Sequence, residues 1–341
     1  MTATCGAIPR WGRAACHDSR RIQTMPGMPA PMPPQPITLH ASAPIPVPVS
    51  LPDGHVEFVI GDVHGERAQL TALLRYCAEH FPTATCTSLG DVIDRGPDSI
   101  GCLVDTLEYA RRGRLPGTDI AFFALPGNHE QMLFAPMFNR DYPNIFFRNG
   151  GDWLKPWTST PDDRRGALIR AAVSTGLGAE EARSLIDYGI SRWRPGADGR
   201  PPIAVFRAIG SLLVMHAGID PTAPDPVAWA RAYNPLYLDD EDNPLWIREA
   251  FYEAPTPWPG NWFVVHGHTF EHRIPVGPDH VCKEIGDLRP EGHRLGLDAG
   301  SSVTGIVAAA AITNGAARII TARGGGANPG KKRPQAGGHA H

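Results

Sequence analysis

Carboxylate, imidazole and amide side chains recur directly after short apolar stretches at five places in this chain of 341 residues. The sequences are GDVHG at 61–65, GDVIDRG at 90–96, GNHE at 127–130, HAG at 216–218 and GHT at 267–269. Their oxygen and nitrogen donors, with no thiolate among them, suit manganese, iron or zinc and leave room for water. The pattern therefore predicts a metal centre.

Six residues within these stretches are the predicted metal ligands, and they are Asp62, His64, Asp91, Asn128, His216 and His268. If two ions are bound, one carboxylate must bridge them. Asp91 follows the middle one of three successive predicted strands, so we assign the bridge to it. We expect Asp62 and His64 to bind one ion and the remaining three residues to bind the other.

Two ions held roughly 3.5 to 4 Å apart lower the pKa of a shared water and bind the attacking and leaving oxygens of an in-line displacement. This chemistry predicts a phosphoesterase.

The guanidinium group of arginine can bind two phosphate oxygens at once, and Arg95 and Arg248 are the candidates for that role. His129 directly follows a predicted ligand, so we expect it to point away from the ions and to protonate the leaving alkoxide. Asp94 lies near the same edge and is expected to orient His129.

His266 precedes His268 by two residues, and the sequence leaves two uses for it open. It could bind an ion itself, or it could support a neighbouring ligand from behind. Support is the favoured interpretation.

Three strand, turn and helix units in succession must position the first three stretches. Apolar strands are predicted at 56–60, 83–89 and 120–125, each followed by a polar turn and by apolar residues at helical spacing. Such units predict a sheet with parallel strands whose polar turns gather on one edge. Later strands, including those near 305–313 and 316–321, suggest a second sheet packed on the first.

Residues from about 139 to 202 break this pattern with two predicted helices, 161–175 and 179–192, and are interpreted as an inserted helical cap. The cap carries Trp153 and Trp157. Packing between cap and core is the favoured use of these rings, and lining a substrate groove is the alternative.

Proline dominates the chain after its first residues, and glycine dominates its end. Residues 1–54 are predicted to be a disordered arm and 324–341 a disordered tail, with one folded domain at 55–323 between them.

The net charge of −3 offers no basic surface, so nucleic acid is not an expected partner. No apolar run approaches the roughly 18 residues of a membrane span. The six cysteines form no CxxC pair, which indicates reduced thiols and a cytoplasmic setting.

The five stretches resemble, in order, the motifs of the phosphoprotein phosphatase family of calcineurin-like metallophosphoesterases. The resemblance covers about residues 56–321. It implies an α/β fold in which a β-sandwich of two mixed sheets is flanked by helices. It also implies a dinuclear metal centre and direct attack of a metal-bridging hydroxide on phosphorus, without a phosphoenzyme. The residue roles that it implies agree with those given above for the metal ligands and for Arg95, Arg248, His129 and Asp94.

Two positions indicate which branch of this superfamily the chain resembles. Asp94 stands where the similar purple acid phosphatases have a tyrosine. Phe270 stands where many other metallophosphoesterases end a GHxH motif with histidine. Both positions favour the phosphoprotein phosphatases, which include bacterial Ser/Thr protein phosphatases and symmetrical diadenosine tetraphosphatases. Asp94 and Glu130 look like those of the protein phosphatases.

The expected function is therefore a Ser/Thr protein phosphatase that hydrolyses phosphomonoesters with two divalent metal ions. Manganese is favoured, and iron and zinc remain open. The expected substrate is a phosphoprotein or a phosphorylated small molecule. A diadenosine tetraphosphate hydrolase is the alternative, and a catalytically inactive binding module is disfavoured by the complete set of ligands.

Overall fold

The structure is a computed structural model that describes residues 36–160, 163–238, 241–270, 288 and 292–324. Its strands are β1 (Thr38–Ala41), β2 (Ile45–Pro46), β3 (Glu57–Ile60), β4 (Thr85–Ser88), β5 (Ala121–Ala124), β6 (Phe206–Ile209), β7 (Leu212–Met215), β8 (Phe263–His266), β9 (Arg294–Gly296), β10 (Ile306–Thr313) and β11 (Ala316–Arg323). Its α-helices are α1 (Arg67–His80), α2 (Ser99–Arg112), α3 (Asn128–Phe134), α4 (Arg164–Ser174), α5 (Ala179–Ser191), α6 (Pro226–Ala232), α7 (Glu249–Glu253) and α8 (Ser301–Thr304). Short 3₁₀ helices lie at Ala135–Met137, Phe146–Asn149, Gly151–Trp157 and Pro259–Asn261.

The described strands form two mixed sheets. The larger has the order β1-β11-β10-β3-β4-β5, with β2 also paired to β11. In it β3, β4 and β5 are parallel, and the other pairs are antiparallel. The smaller has the order β6-β7-β8-β9, and only β6 is antiparallel to its neighbour. Val59 and Ala310 of the larger sheet share one buried apolar layer with Val214 and Val265 of the smaller, which confirms the predicted β-sandwich.

Helices cover the outer face of each sheet. On the larger sheet, Phe58 and Ile60 share a core with side chains of α1 to α5. On the smaller sheet, Leu213 packs with residues of α6 and α7, including Ala230 and Phe251. No helix in the described ranges is long and apolar enough to cross a membrane.

The residue types at the two ends of α2 explain where this helix begins and ends. Asp98 caps its first turn by accepting a hydrogen bond from the amide of Gly101 at 2.9 Å. Gly113 ends the helix in the left-handed conformation, at φ 67°. A capping side chain at the start and a glycine at the end therefore account for the bounds of α2.

The inserted segment packs on the flank of the sheet. Its helices α4 and α5 contact α2, and Leu168 and Leu185 are buried in the same core as Leu107. Trp157 also packs against this core. The apolar faces of the insertion are therefore used in packing on α2.

The prediction of a disordered arm was wrong from residue 36 onwards. β1 and β2 pair with β11, and the alternation of apolar residues with proline buries Val47, Val49 and Leu51 between the sheets. Pro46 and Pro48 fall on the exposed positions of this alternation at the sheet edge, where a missing N–H donor is tolerated. Residues 1–35 and the predicted tail at 325–341 lie outside the described residues.

The expected sheet for the last strands was also wrong. β10 and β11 belong to the larger sheet, where β10 runs antiparallel to β3. β10 is almost continuously apolar, and β11 is buried along most of its length although it carries Arg318 and Thr321, so neither pattern indicates which layer of a sandwich the strand joins. Their place is set by pairing with distant residues and not by their own pattern.

A buried ion pair joins the two sheets. Glu57 of β3 is fully buried, and it accepts hydrogen bonds from Thr87 of β4 and from Arg207 of β6. The Nε2 atom of His55 lies 3.0 Å from its second oxygen. The Arg207 guanidinium also lies over the Phe123 ring, 3.8 Å from its centroid. Arg207 is therefore the charge partner that the smaller sheet supplies to Glu57.

We expect Arg207→Met to lower the free energy of unfolding by about 3 kcal/mol or more, because it leaves the Glu57 carboxylate buried without its cation. Denaturant titration measures the loss. Arg165→Met is the matched control, since Arg165 pairs with Asp187 at an exposed position and such pairs contribute about 0–1 kcal/mol. Equal losses in the two variants would contradict the structural importance of the inter-sheet pair.

Candidate metal centre

The side chains predicted to do chemistry follow the carboxyl ends of five strands. Asp62 follows β3, Asp91 follows β4, Asn128 begins α3 after β5, His216 follows β7 and His268 follows β8. All five are buried. Because β3 to β5 are parallel, as are β7 and β8, their polar ends meet at one edge of the sandwich. The structure thus brings the five separate stretches together.

Two clusters of ligand-type atoms converge on Asp91. One contains His64, Asp91 and His129, and the other contains Asp91, His216 and His268, with the ligand-type atoms of each cluster within 4.8 Å of one another. Asp91 Oδ2 lies 3.6 Å from His64 Nε2 and 3.8 Å from His129 Nε2. Asp91 Oδ1 lies 3.5 Å from His216 Nε2. One oxygen therefore faces each cluster, which is the arrangement that a bridging carboxylate requires.

Backbone carbonyls orient three of the histidines. Ring nitrogens lie 2.9 to 3.0 Å from carbonyl oxygens: Nδ1 of His64 from Ile93, Nδ1 of His216 from Leu89, and Nε2 of His268 from Trp246. A carbonyl only accepts hydrogen bonds, so these nitrogens carry the protons and the opposite ring nitrogens present lone pairs.

Burial keeps these histidines neutral. It lowers the pKa of His216 to about 3 and holds the pKa of His64 and His268 well below 6.5. The nearby arginine charges lower all three further. A neutral imidazole with a free lone pair is the form that binds a metal ion.

The amide of Asn128 lies among acceptors. Its Oδ1 is 3.1 Å from His216 Nε2 and 3.1 Å from His268 Nδ1. Such a convergence needs positive charge or a donor at its centre. A reversed amide would donate to these nitrogens and to Asp91 at 3.1 to 3.2 Å, and a bound divalent cation would instead meet the oxygen. The donor set of Asn128, His216, His268 and Asp91 thus fits a metal ion.

Asp62 contacts the loop that carries His268. Its two carboxylate oxygens accept from the backbone N–H of His268 at 3.0 and 3.1 Å. Gly267 makes this approach possible, because a Cβ there would lie 1.9 Å from Asp62 Oδ1. Asp62 is outside both converging clusters, whereas His129 is inside one. The assignment of Asp62 to the same ion as His64 stays a prediction.

His129 and Asp94 form the predicted pair. His129 Nδ1 lies 2.6 Å from Asp94 Oδ2, and both side chains are almost fully buried. The bond to Asp94 fixes Nδ1 and so directs the opposite side of the ring, where Nε2 lies 3.8 Å from Asp91 Oδ2. The expectation that His129 points away from the ions stays a prediction.

Both candidate phosphate-binding arginines lie beside the clusters. Arg95 Nη1 is 2.9 Å from His64 Nε2. The Nε2 lone pair can therefore bind a metal ion only if the Arg95 guanidinium moves away from it. Arg248 Nη1 donates to Thr269 Oγ1 at 3.0 Å, and its charge lowers the pKa of His129, His216 and His268.

Backbone strain is concentrated at the site. Five of its residues have positive φ: His64, Asp91, Asp94, Arg95 and His268. Such conformations cost non-glycine residues about 1–3 kcal/mol each and persist only where the surroundings enforce them. The strand-end loops are therefore held in their shape by contacts from elsewhere in the fold.

Three further residues complete the site through contacts that the sequence did not predict. Asp298 is a buried carboxylate two residues after the end of β9. Burial raises its pKa to about 6, and its charge raises the pKa of Asp62. Glu130 accepts from three backbone amides of the strand-end loops. Trp153 donates its indole N–H to Asp94 Oδ1 at 2.6 Å. A polar residue shortly after a strand was the available signal for Asp298, whereas no local pattern indicates the partner of Trp153.

The profile of the calcineurin-like phosphoesterase family matches residues 58–294. The chain belongs to the calcineurin-like phosphoesterases. The predicted family and fold are confirmed, and membership of this family supports the predicted class of metal-dependent phosphoesterase.

Two curated relatives of this phosphoesterase are protein phosphatases. Serine/threonine-protein phosphatase 1 of Salmonella typhimurium is 35% identical over 112 residues, which are 33% of this chain and 46% of that protein. Serine/threonine-protein phosphatase 2 of Escherichia coli is 33% identical over 97 residues, 28% of this chain and 39% of that protein. The chain spans less than half the length of the curated relatives it matches.

Solved structures with a similar fold include a putative diadenosine tetraphosphatase, with a TM-score of 0.39 and 22% identity over 82% of this chain and 98% of the other. They also include a protein serine/threonine phosphatase from Saccharomyces cerevisiae, with a TM-score of 0.41 and 15% identity over 75% and 72%.

His266 lies outside both clusters, in an aromatic surrounding. Its ring packs edge-on against Phe251, with centroids 5.0 Å apart, and its Nδ1 is 3.3 Å from the Tyr252 hydroxyl. Its Nε2 is buried without a hydrogen-bond partner among the described residues. Burial lowers the pKa of His266 to about 4. This position fits the supporting role better than ligation.

The low pKa of His266 predicts a loss of stability in acid. The unfolded chain binds a proton at this residue below about pH 6.5, and the folded protein does so only near pH 4, so stability falls as pH drops between the two values. At pH 5 the cost is about 2 kcal/mol. We expect His266→Phe to lose about 2 kcal/mol less than the wild type between pH 7 and pH 5, measured by denaturant unfolding without added metal.

His80→Phe is the control for this measurement, because His80 is exposed at the end of α1. It should keep the wild-type dependence on pH. Equal acid losses in the wild type and in His266→Phe would show that His266 does not titrate in this way.

Proposed function

We propose that this phosphoesterase is a Ser/Thr protein phosphatase that uses two divalent ions, with manganese as the favoured metal. The observation that carries the proposal is the buried pair of Asp94 and His129 beside Asp91. An alkoxide, the group that leaves from phosphoserine or phosphothreonine, needs a proton donor, and general acid catalysis of this kind contributes typically about 10²–10⁴-fold.

The proposed ligands are those that converge on Asp91. Asp62 and His64 would hold one ion, and the other would be held by Asn128, His216 and His268. Asp91 would bridge the two ions. When bound, two such ions lower the pKa of a water and polarise the phosphoryl group. The carboxylate between the two clusters and the neutral histidines support this assignment.

Arg95 and Arg248 are the proposed phosphate-binding residues. They approach the clusters from two different elements, the loop after β4 and the start of α7. Their planar guanidinium groups can each donate two hydrogen bonds to phosphate oxygens. Together they would hold the ester in line with the leaving side of the site, where His129 lies.

The pair of Asp94 and His129 can hold the proton that the leaving oxygen needs. Burial raises the pKa of Asp94 well above 3.8 and lowers that of His129 to about 3, so both shifts favour the neutral form of each group. In a neutral pair one proton lies between Asp94 Oδ2 and His129 Nδ1, and the other lies on His129 Nε2. That Nε2–H is the proposed donor.

The proposed substrate is a phosphoprotein or another phosphomonoester of an alcohol. The free, buried thiols of Cys77, Cys86 and Cys102 support the cytoplasmic, reducing setting that we propose. The names of the curated relatives, both Ser/Thr protein phosphatases, agree with this substrate class.

The first test compares phosphate release from a phosphothreonine peptide with hydrolysis of diadenosine tetraphosphate, at matched concentrations with manganese. We expect the peptide to be preferred, because the acid pair serves an alkoxide and a phosphate leaving group needs little protonation. A clear preference for the dinucleotide would overturn the substrate class and leave the proposed ligands untouched. Asp91→Asn is the control that should abolish either activity.

His129→Asn tests the proton donor. We expect hydrolysis of a phosphoserine peptide to slow by about 100-fold or more and that of p-nitrophenyl phosphate by less than about 10-fold, because a good leaving group needs little protonation. The ratio of the two kcat/KM losses is the measured quantity. Equal losses for the two esters would remove His129 from the acid role.

A further inference from the structure

Both oxygens of the Asp94 carboxylate are occupied by hydrogen-bond donors. Oδ2 lies 2.6 Å from His129 Nδ1, and Oδ1 accepts the indole N–H of Trp153 at 2.6 Å. The Asp94 side chain is fully buried. Because the two oxygens are rigidly joined, the bond to Trp153 fixes the direction in which Oδ2 meets His129.

The backbone of Asp94 needs such external support. Asp94 and Arg95 are consecutive residues in the left-handed region, at φ 73° and 67°, a conformation that costs roughly 1–2 kcal/mol per residue. The amide of Asp94 donates to Ser99 Oγ at 2.9 Å. This bond anchors the main chain and leaves the rotation of the carboxylate to be set by its own partners.

The inserted segment also touches the next residue. The carbonyl of Gly150 accepts from the amide of Arg95 at 3.4 Å. Gly150 has φ 110°, and a Cβ there would lie 2.8 Å from Arg95 Cγ. Residues 150–153 therefore contact both Asp94 and Arg95, the proposed acid partner and the proposed phosphate-binding residue.

The ring of Trp153 is itself held in place. It packs edge-to-face with Phe146, with centroids 6.4 Å apart, and the Arg164 guanidinium lies 5.3 Å from the centroid of the buried Phe146 ring. Arg164 donates to the carbonyls of Met132 and Leu133 in α3. Since α3 also carries His129, these contacts tie the indole to the same helix as the imidazole that it helps to orient.

We propose that Trp153 is a positioning residue for proton donation by His129, acting through Asp94. The proposal rests on the proposed function, because it concerns the same leaving-group proton. It assigns a part of the reaction to the inserted segment, which supplies none of the predicted metal ligands.

Trp153→Phe tests the proposal, because it keeps an aromatic ring and removes the N–H. We expect kcat/KM for a phosphoserine peptide to fall about 10-fold or more and that for p-nitrophenyl phosphate to change by less than about 3-fold. In a His129→Asn background the same change should have little further effect on the peptide, because the group that it positions is already gone.

Two controls separate positioning from folding. Trp157→Phe changes a tryptophan of the same 3₁₀ helix that packs against the core, and it should leave the ratio of the two rates at the wild-type value. If Trp153→Phe fails to fold, benzothienylalanine at position 153 replaces it, since this residue matches the shape of tryptophan and has no N–H. The unfolding temperature of each variant reports whether it folds.

The outcomes distinguish this proposal from the proposed function. A wild-type protein that hydrolyses both esters, together with equal losses for both in the position-153 variant, would overturn the role of Trp153 alone. Additive effects of the changes at 129 and 153 would also overturn it. A wild-type protein that hydrolyses neither ester would overturn the proposed function, and the role of Trp153 with it.

Discussion

The carboxylate of Glu130 joins the two loops on which the centre depends. It accepts from the amides of Asp91 at 2.7 Å, Val92 at 3.0 Å and Gly127 at 2.8 Å. Asp91 has φ 49°, and its oxygens face both clusters of ligand-type atoms. Each unpaired buried amide would cost about 1–3 kcal/mol. Glu130 therefore pairs three donors at once and fixes the strained residue around which the rest of the site is arranged.

The electrostatics of the site follow from the burial of many ionisable groups at one edge. Burial raises the pKa of Asp62 and Asp94, and it raises the pKa of Glu130 to about 8. It lowers the pKa of the neighbouring histidines in the same surroundings. Both shifts favour the neutral forms, because the low dielectric disfavours any charge. Nearby divalent cations would reverse the shift of the carboxylates and keep the histidines neutral, so the site is poised for positive charge.

Local sequence predicted those parts of the fold and site that local contacts form. A strand followed by a polar turn places its side chains at a sheet edge whatever the rest of the chain does, so Asp62, Asp91 and His216 could be found from the sequence. The cap of α2 at Asp98 and its end at Gly113 were predictable for the same reason. The pairing of β1 and β2 with β11 was not, because it depends on residues at least 270 positions away.

The contacts of Trp153 and Asp298 in the site were not predicted from the sequence either. Trp153 and Asp298 act on partners far away in sequence, and nothing in their own neighbourhoods names those partners. The direction of the His129 ring is set in a similar way, by its bond to Asp94 and not by its adjacency to Asn128. Residue type and spacing therefore identify candidate ligands, while the orientation of Asp94 and His129 depends on contacts across the fold.

This difference bears on how one fold can serve several phosphate esters. The proposed ligands come from strand ends, whose geometry is set by the two sheets, and all phosphoryl transfers need their charge. Only substrates with poor leaving groups also need a proton donor. In this chain the inserted segment contacts the proposed donor pair through the Trp153 indole on Asp94, and its Gly150 contacts the neighbouring Arg95. If Trp153 positions the pair as proposed, changes in the insertion would alter which leaving groups receive a proton and would leave the proposed metal ligands in place.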